Sequence, residues 1–282
     1  MRATLIAYLL FTCFETFNGF LDGALTQIYA SVRIIEEWQR QHAQLPKHKT
    51  SVFSPQTLVI EDELIRAFGR LELDAICYQD SRSPTLHESH VYFRQLSIDA
   101  MPSTFTSLIE ARAYLDLTVH RSLHFAAFLS KEYQFNRVFS LHNLEAFKHY
   151  FVMTEEELER KLEMYNRWAD AFEPLWRFSR MEEGKANFKG ATALRLHYLT
   201  GIALRNALVG SGEMFYRESI PGLQEIVTLS RIFLDLSNSN SGNTGPSFNF
   251  DLQVILPLQT VGIVFRHRKL RREAIELLLG RR

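Results

Sequence analysis

The chain has 282 residues, of which 32 are Lys or Arg, 32 are Asp or Glu, 46% are hydrophobic and 22 are Phe. The length and apolar content exclude general disorder and suffice for a substantial core. The net charge of zero excludes attraction of the whole surface to nucleic acid or anionic lipid. Two cysteines provide no disulfide framework, which favours a reducing compartment.

The N-terminal segment carries apolar residues at the spacing of two amphipathic helices, Leu5 to Phe17 and Leu21 to Trp38, joined at Asn18-Gly19. This pattern predicts an antiparallel helical hairpin. The run after Arg2 superficially resembles a secretory signal, but it lacks a small-residue cleavage pattern, closes at Glu15 and is too short to cross a bilayer. We therefore expect a buried first helix and a protein that is not secreted.

Further helices are predicted wherever apolar residues recur with a period of 3.6. The segments are Leu64 to Ile76, a helix starting at the capping box of Ser107 and Glu110, a helix starting at the capping box of Thr154 and Glu157, Ala191 to Val209, Leu223 to Phe233, Phe250 to Phe265 and Leu270 to Leu279. Pro174 is expected to kink or end the helix that starts at Thr154. The helix Ala191 to Val209 is apolar nearly all round, which predicts a central, mostly buried position.

Three polar segments, 41–56, 79–103 and 237–245, are predicted to be loops because they combine Pro, Gly, Ser, Asn and His without apolar periodicity. The second is expected to be a long connection containing Pro84 and Pro102. Strand-like alternation is nowhere sustained, so the fold class is all-α, a multi-helix bundle with repeat-like helical hairpins. Residues 1–282 are expected to form one domain, with two packed helical lobes as the alternative, and no DNA-binding domain.

Ten histidines raise the question of a metal site, and His120 and His124 share a helix face at i, i+4 spacing. A zincin helix would need Glu after the first His, and Arg121 stands there instead. We expect both to be partly exposed helix residues. His87 and His90, with Glu88, fall in the predicted long loop and are interpreted in the same way. No metal ligand and no cofactor are predicted.

Signatures of covalent or phosphate chemistry are also missing from the sequence. Gly210-Ser211-Gly212 is not a nucleophile elbow, and it fits the end of the helix that closes at Val209. Gly242-Asn243-Thr244-Gly245 lies in a polar loop without a preceding strand, so it is not a phosphate loop. No catalytic residue is assigned, and the protein is predicted not to be an enzyme.

One dense basic run stands out, and its members are Arg266, Arg268, Lys269, Arg271 and Arg272. Such a run is typical of a nuclear-import signal or a phosphate-contacting patch. The alternative is a solvated helix start, with Glu273 and Glu276 as helical neighbours.

Five segments together resemble a known family. They are Leu9-Leu10-Phe11-Thr12-Cys13-Phe14-Glu15, Ala24-Leu25 through Ile34-Ile35-Glu36-Glu37-Trp38, Phe105-Thr106-Ser107-Leu108-Ile109-Glu110-Ala111-Arg112, Leu194-Arg195-Leu196-His197-Tyr198, and Phe250-Asp251-Leu252 through Leu270-Arg271-Arg272-Glu273-Ala274-Ile275. Their order and spacing resemble the C-terminal regulatory region of fungal zinc-cluster transcription factors. The resemblance implies an all-α regulatory region, action in the nucleus and control of target genes, often for secondary metabolism.

The family's DNA-binding module holds two zinc ions with six cysteines, and this chain contains only Cys13 and Cys77. The sequence therefore predicts a regulator or co-regulator that acts through other regulators, self-association or a small-molecule effector, without sequence-specific DNA binding and without a membrane. The nucleus is the expected location, with the cytoplasm as the alternative. The other interpretations are a helical scaffold unrelated to transcription, an intracellular enzyme without a motif, and a fragment of a longer zinc-cluster protein.

Overall fold

A computed structural model describes residues 1–42, 56–78, 80, 82–129, 155–209, 213–239, 254–265 and 267–280. Within these ranges the chain is helical and contains no strand, so the all-α prediction is confirmed. Among the described helices, none combines the length and apolar character needed to cross a bilayer.

The helices follow one another as α1 Arg2–Phe17, α2 Leu21–His42, α3 Asp62–Tyr78, α4 Pro84–Asp99, α5 Leu108–Leu129, α6 Glu155–Ser179, α7 Phe188–Val209, α8 Glu213–Ser239, α9 Ile255–Gln259 and α10 Arg268–Leu279. A 3-10 turn at Lys185–Asn187 precedes α7, and a π-helical turn at Thr260–Val264 follows α9.

The described residues divide into two compact units. The first unit holds those of 1–100 and 116–129, and the second holds those of 101–115, 155–239 and 254–280. Helix α5 begins in the second unit and ends in the first.

The predicted N-terminal hairpin is present, and its turn requires glycine. Gly19 lies between α1 and α2 with a φ of +78°, in the left-handed region that other residues rarely adopt. Packing of α1, α2 and α3 then forms the core of the first unit. Its buried members are Leu5, Ile28, Val32, Ile35, Trp38, Ile60, Leu64, Ile65, Phe68, Leu71 and Ala75.

The expectation that α1 is a buried helix is wrong. Leu5 and Thr12 are the buried residues of α1, whereas the exposed fraction is 65% for Leu10, 64% for Phe14 and 83% for Phe17. The apolar periodicity is real, but it spreads over more of the α1 surface than α2 and α3 cover. Spacing alone identifies an apolar face and does not show that another element packs on it.

The predicted long loop over 79–103 is also wrong, because its centre forms α4. Ser83 is the N-cap of this helix, and its hydroxyl accepts a hydrogen bond from the Leu86 backbone N–H at 3.3 Å. Pro84 occupies the start of the first turn, where a missing N–H costs nothing. The proline that suggested a loop is therefore a helix start.

In the second unit, α6 packs its aromatic face on α7 and on the start of α5. The Trp168 indole donates a hydrogen bond to the Ala111 carbonyl at 2.7 Å, and the Trp168 ring stacks on Phe172 and Tyr198. Gly201 permits this approach, since a Cβ there would lie 2.4 Å from the Tyr165 hydroxyl oxygen. The apolar periodicity of 158–176 predicts this buried face.

Pro174 does not itself end α6, since the helix continues to Ser179, and the kink at Pro174 stays a prediction. Pro174 lies near the C-terminal end of α6 and is exposed. Beyond it, Trp176 is buried and its ring lies 6.4 Å from that of Phe172. This packing holds the last turn in place although one backbone hydrogen bond is lost.

The predicted capping box at Ser107 is half present. The Ser107 hydroxyl accepts from the Glu110 backbone N–H at 3.2 Å, as predicted. The Glu110 carboxylate instead accepts from the backbone N–H and hydroxyl of Thr106, at 2.8 and 2.9 Å. Both residues therefore cap the start of α5, but the Glu110 carboxylate accepts from the Thr106 backbone N–H, whereas the motif places this bond at Ser107.

Helices α7 and α10 match their predicted segments, with α7 ending at Val209, and α8 is longer than predicted and buries Leu223, Ile226, Val227 and Phe233. Of the predicted helix Phe250 to Phe265, residues 250–253 lie outside the described residues and the rest forms α9 and the π-helical turn. Residues 237–239 of the third predicted loop belong to the end of α8. Several predictions lie outside the described residues: the remainder of that loop, most of the loop over 41–56, Thr154, and Gly210-Ser211-Gly212.

Replacing Trp38 by Ala should lower the free energy of unfolding by about 3–5 kcal/mol, because this side chain is 2% exposed in the first unit's core. Denaturant unfolding followed by circular dichroism measures the change. Phe17→Ala is the matched control in the same hairpin, and since Phe17 is 83% exposed it should shift stability by no more than about 0.5 kcal/mol. Equal losses in both variants would contradict the assigned packing.

Candidate functional site

A cluster of buried polar side chains lies in the first unit, where α3, α4 and α5 contribute to one site. Glu72 comes from α3, His90 and Arg94 from α4, and His120 and His124 from α5. Asp80 and Arg82 precede α4, and His87 lies on its first turns. Residues 87, 90 and 94 are spaced so that they share one face of α4, and residues 120 and 124 share one face of α5.

Glu72 is the centre of this cluster and is 2% exposed. Its Oε1 accepts a hydrogen bond from Arg82 Nη1 at 2.6 Å, and its Oε2 lies 3.3 Å from Arg94 Nη2. Arg82 also binds Asp80 through Nη2 to Oδ2 at 2.7 Å and Nε to Oδ1 at 3.0 Å. The buried negative charge is thus matched by guanidinium groups, which a desolvated carboxylate requires.

Four imidazole rings pack beside Glu72. His87 Nδ1 and His124 Nδ1 are 2.9 Å apart and share a hydrogen bond. The His90 ring stacks on the His124 ring with centroids 4.5 Å apart, and the His120 and His124 centroids are 6.2 Å apart. His87 Nε2 lies 3.7 Å from Asp80 Oδ2, which connects the ring pair to a carboxylate.

The surroundings keep these rings neutral at physiological pH. Burial and then the charge of Arg94 lower the pKa of His90 to about 4 and that of His120 to about 3. Burial also lowers the pKa of His87, and it holds the pKa of His124 well below its usual range. Neutral imidazoles can accept protons or bind metal ions.

The carboxyl groups respond in opposite directions. Burial opposes ionisation of Glu72, but interaction with His124 and the charges of Arg94 and Arg82 hold its pKa well below the usual range. Partial burial of Glu36, whose side chain is 38% exposed, and then the negative charge of Glu72 raise the pKa of Glu36 to about 7. Glu36 lies on α2, with Oε1 3.4 Å from His90 Nδ1.

A cavity of about 540 Å³ adjoins the cluster. Glu36, Glu72, His90, Arg94 and His120 line it together with apolar side chains of α2 and α3. The apolar members are Val32, Ile35, Ile65 and Phe68. Ligand sites in proteins are usually cavities of this size, and most of the residues that line this one are polar or charged.

The expectation that His120 and His124 are partly exposed is wrong, since their exposed fractions are 2% and 0%. His87 and His90 lie on α4 rather than in a loop, and both are buried. Helical spacing correctly predicted that His120 and His124 share a face of one helix. Their burial depends on which helices pack against that face, and α4 was not among the predicted helices.

One sequence signal did point to this site. Glu72 lies four residues after Phe68 and four before Ile76, in the middle of the apolar face of α3. A charged residue on a buried helical face must find a partner, and the polar faces of α4 and α5 supply it.

The predicted basic run lies elsewhere. Arg268, Lys269, Arg271 and Arg272 are exposed on α10, and Arg266 lies outside the described residues. Glu273 is 3.4 Å from Arg231 of α8, an ion pair between two helices of the second unit. The exposure of these four side chains is compatible both with an import signal and with a solvated helix start.

Comparison of the chain with protein-family models, with curated proteins and with solved structures found no match. The geometry of the first unit is therefore the main basis for a functional proposal.

The pH dependence of stability tests the His90 environment. Because the folded pKa of about 4 lies below the usual 6.5, neutral His90 contributes stability above pH 6.5 that is lost as the pH falls toward 4. His90→Gln should therefore reduce the slope of unfolding free energy against pH by up to about 1.4 kcal/mol per pH unit between pH 4.5 and 6.5. Denaturant unfolding at a series of pH values measures it.

Glu36→Gln should change that slope in the opposite direction. The raised pKa of Glu36 means that its contribution is present below pH 4.5 and lost as the pH rises through 7. Removing the carboxyl group makes stability rise more steeply with pH over the same window. The effect should be smaller than that of His90→Gln, because the Glu36 side chain is 38% exposed and solvent screens it. Changes of the same sign in both variants would contradict the assigned environments.

Proposed function

We propose that this chain is a regulator or co-regulator of fungal transcription that responds to a small-molecule effector bound in the first unit. The observation that carries the proposal is the 540 Å³ cavity with Glu72, His90, Arg94 and His120 on its wall. The five ordered segments that resemble zinc-cluster regulators supply the transcriptional part. With two cysteines in the sequence, such a regulator would reach its target genes through another DNA-binding protein.

The wall chemistry indicates the kind of effector. Val32, Ile35, Ile65 and Phe68 suit an apolar body, and the polar groups suit one end that carries hydrogen-bonding or charged atoms. Arg94 provides a cation on this wall that suits an anionic or carbonyl group. An amphipathic metabolite with an anionic or carbonyl group satisfies both parts.

Filling the cavity should abolish the response. Ser89 lines the cavity from the exposed side of α4, so Ser89→Trp would occupy the space without disturbing the core. Each variant would be fused to an unrelated DNA-binding domain in a fungal reporter strain, and reporter output would be compared across growth conditions. We expect the parent fusion to respond to conditions and the Ser89→Trp fusion to be fixed at one level.

Glu88→Trp is the matched control, since Glu88 is the neighbouring exposed residue on α4 and does not line the cavity. It should behave as the parent does. Reporter output equal to that of the DNA-binding domain alone would contradict the regulatory proposal and favour a scaffold unrelated to transcription. An unchanged response in Ser89→Trp would contradict the effector site.

Nuclear import by the basic run is a separate part of the proposal. Replacing Arg268, Lys269, Arg271 and Arg272 by Gln should move a fluorescent fusion out of the nucleus, because import receptors bind clustered cations. The matched control removes the same charge from scattered exposed sites that do not line the cavity, Arg2, Arg160, Arg177 and Lys185. Equal distribution of both variants would assign the run to a solvated helix face.

One observation favours a second candidate function, an intracellular enzyme. Neutral imidazoles beside an ionised carboxylate on a cavity wall are the arrangement from which proton-transfer sites are built. Incubating the purified chain with a fungal metabolite extract would separate the two functions. An enzyme depletes a metabolite catalytically, whereas a sensor retains at most one equivalent.

A further inference from the structure

Three buried side chains of the first unit converge on a single point. His124 Nε2 lies 3.5 Å from Glu72 Oε1, and His120 Nδ1 lies 3.6 Å from Glu72 Oε2. The donor atoms of the three residues all lie within 4.8 Å of one another. Each side chain is at least 97% buried. Within the described residues His120 Nδ1 has no hydrogen-bond partner, and the partner of His124 Nε2 is the Glu72 carboxylate itself, at the long distance of 3.5 Å.

The other nitrogen of each ring determines where the proton lies. His124 Nδ1 shares its hydrogen bond with His87 Nδ1, whose opposite nitrogen lies toward Asp80. His120 hydrogen-bonds the backbone of Gly69, and the Gly69 position faces its Nε2. If His124 donates through Nδ1 and His120 through Nε2, the two remaining nitrogens carry lone pairs directed at a carboxylate.

Lone pairs that face a carboxylate repel it unless a cation lies between them. We propose that Glu72, His120 and His124 bind one divalent transition-metal ion, of the class of Zn²⁺ or Fe²⁺. Two imidazoles and one carboxylate are a ligand set that both ions use.

The spacing agrees with this assignment. Zinc lies about 2.0–2.1 Å from imidazole nitrogen and about 2.0–2.2 Å from carboxylate oxygen, so tetrahedral coordination separates the N and O atoms by about 3.4 Å. The observed separations, 3.5 Å to Glu72 Oε1 and 3.6 Å to Glu72 Oε2, are close to this value. The three ligand atoms lie within 4.8 Å of one another, and binding of one ion requires the two imidazole nitrogens to be no more than about 4.2 Å apart. His124 hydrogen-bonds His87, and His87 in turn lies beside Asp80. Outer contacts of this kind orient a ligating imidazole ring.

The guanidinium groups compete with a metal only in part. Glu72 has about four acceptor positions, and Arg82 uses one of them at 2.6 Å while also binding Asp80. Arg94 makes longer contacts, 3.3 Å to Glu72 and 3.5 Å to His90 Nδ1. Because Glu72 and His120 also line the cavity, water or a ligand in the cavity can complete the coordination.

Titration of the purified full chain with Co²⁺ tests the site, because four-coordinate Co²⁺ has strong visible absorption bands and replaces Zn²⁺ in such ligand sets. We expect one equivalent to bind, displaced by Zn²⁺. X-ray absorption should show two imidazole nitrogens and carboxylate oxygen at about 2.0–2.2 Å. Uptake of less than one equivalent, or coordination by sulfur, would overturn the proposal.

Two substitutions remove a ligating nitrogen while keeping the ring's other hydrogen bond. In His124→Asn the amide nitrogen replaces Nδ1 beside His87, and in His120→Gln the amide nitrogen replaces Nε2 beside Gly69. Each should weaken Co²⁺ binding by more than about 100-fold, exceeding the 10–100-fold loss expected for His87→Phe in the outer contacts. His42→Gln, at the end of α2, is the control and should bind as the parent does.

Circular dichroism and thermal melting of each variant establish that it folds. Undiminished binding in folded His124→Asn and His120→Gln would overturn the proposal. Should a variant fail to fold, the X-ray absorption of the parent decides by itself. The inference rests on the three side chains and does not depend on the proposed regulatory role.

Discussion

The buried negative charge of Glu72 is the constraint on which the first unit depends. A carboxylate removed from water costs several kcal/mol unless charges and hydrogen bonds replace its hydration. Arg82, Arg94 and the imidazoles of α4 and α5 provide that replacement. The positions of α4 and the end of α5 relative to α3 are therefore fixed by electrostatics as well as by apolar packing.

The same charge links the structural and the functional interpretations. Glu72 and His120 belong to the buried cluster and also to the cavity wall. Any molecule that reaches this wall meets groups whose protonation is already set by burial and by Arg94. A neutral imidazole and an ionised carboxylate side by side suit a cation or a hydrogen-bonding ligand, and both proposals above use this pair.

Sequence patterns predicted the elements whose apolar residues repeat regularly. Helix α3, the aromatic face of α6 and the end of α7 at Val209 lie where the spacing places them. Helix α4 was missed because its buried face is built from His87, His90 and Arg94, which read as polar in a window that also contains proline. Burial of polar residues is a tertiary property, and a single sequence does not reveal the partners that permit it.

The error at α1 has the opposite cause. Leu10, Phe14 and Phe17 have the spacing of a buried face, yet they remain exposed because α2 and α3 contact only the Leu5 side of the helix. Apolar periodicity thus overestimated burial at α1 and underestimated it at α4. The candidate site is built on the buried polar face of α4, so the spacing of histidine and cysteine residues did not predict it.

The dependence of Glu72 on later helices has a consequence for synthesis on the ribosome. Chains emerge at about 5–20 residues per second, so the roughly 50 residues between Glu72 and His124 take about 3–10 s to appear. During that interval α3 is complete, but the imidazoles of α5 have not yet been made. The nascent hairpin of α1 and α2 can pack on α3 with Arg82 beside the Glu72 carboxylate, but the contacts of Glu72 with His120 and His124 form only after α5 has been made.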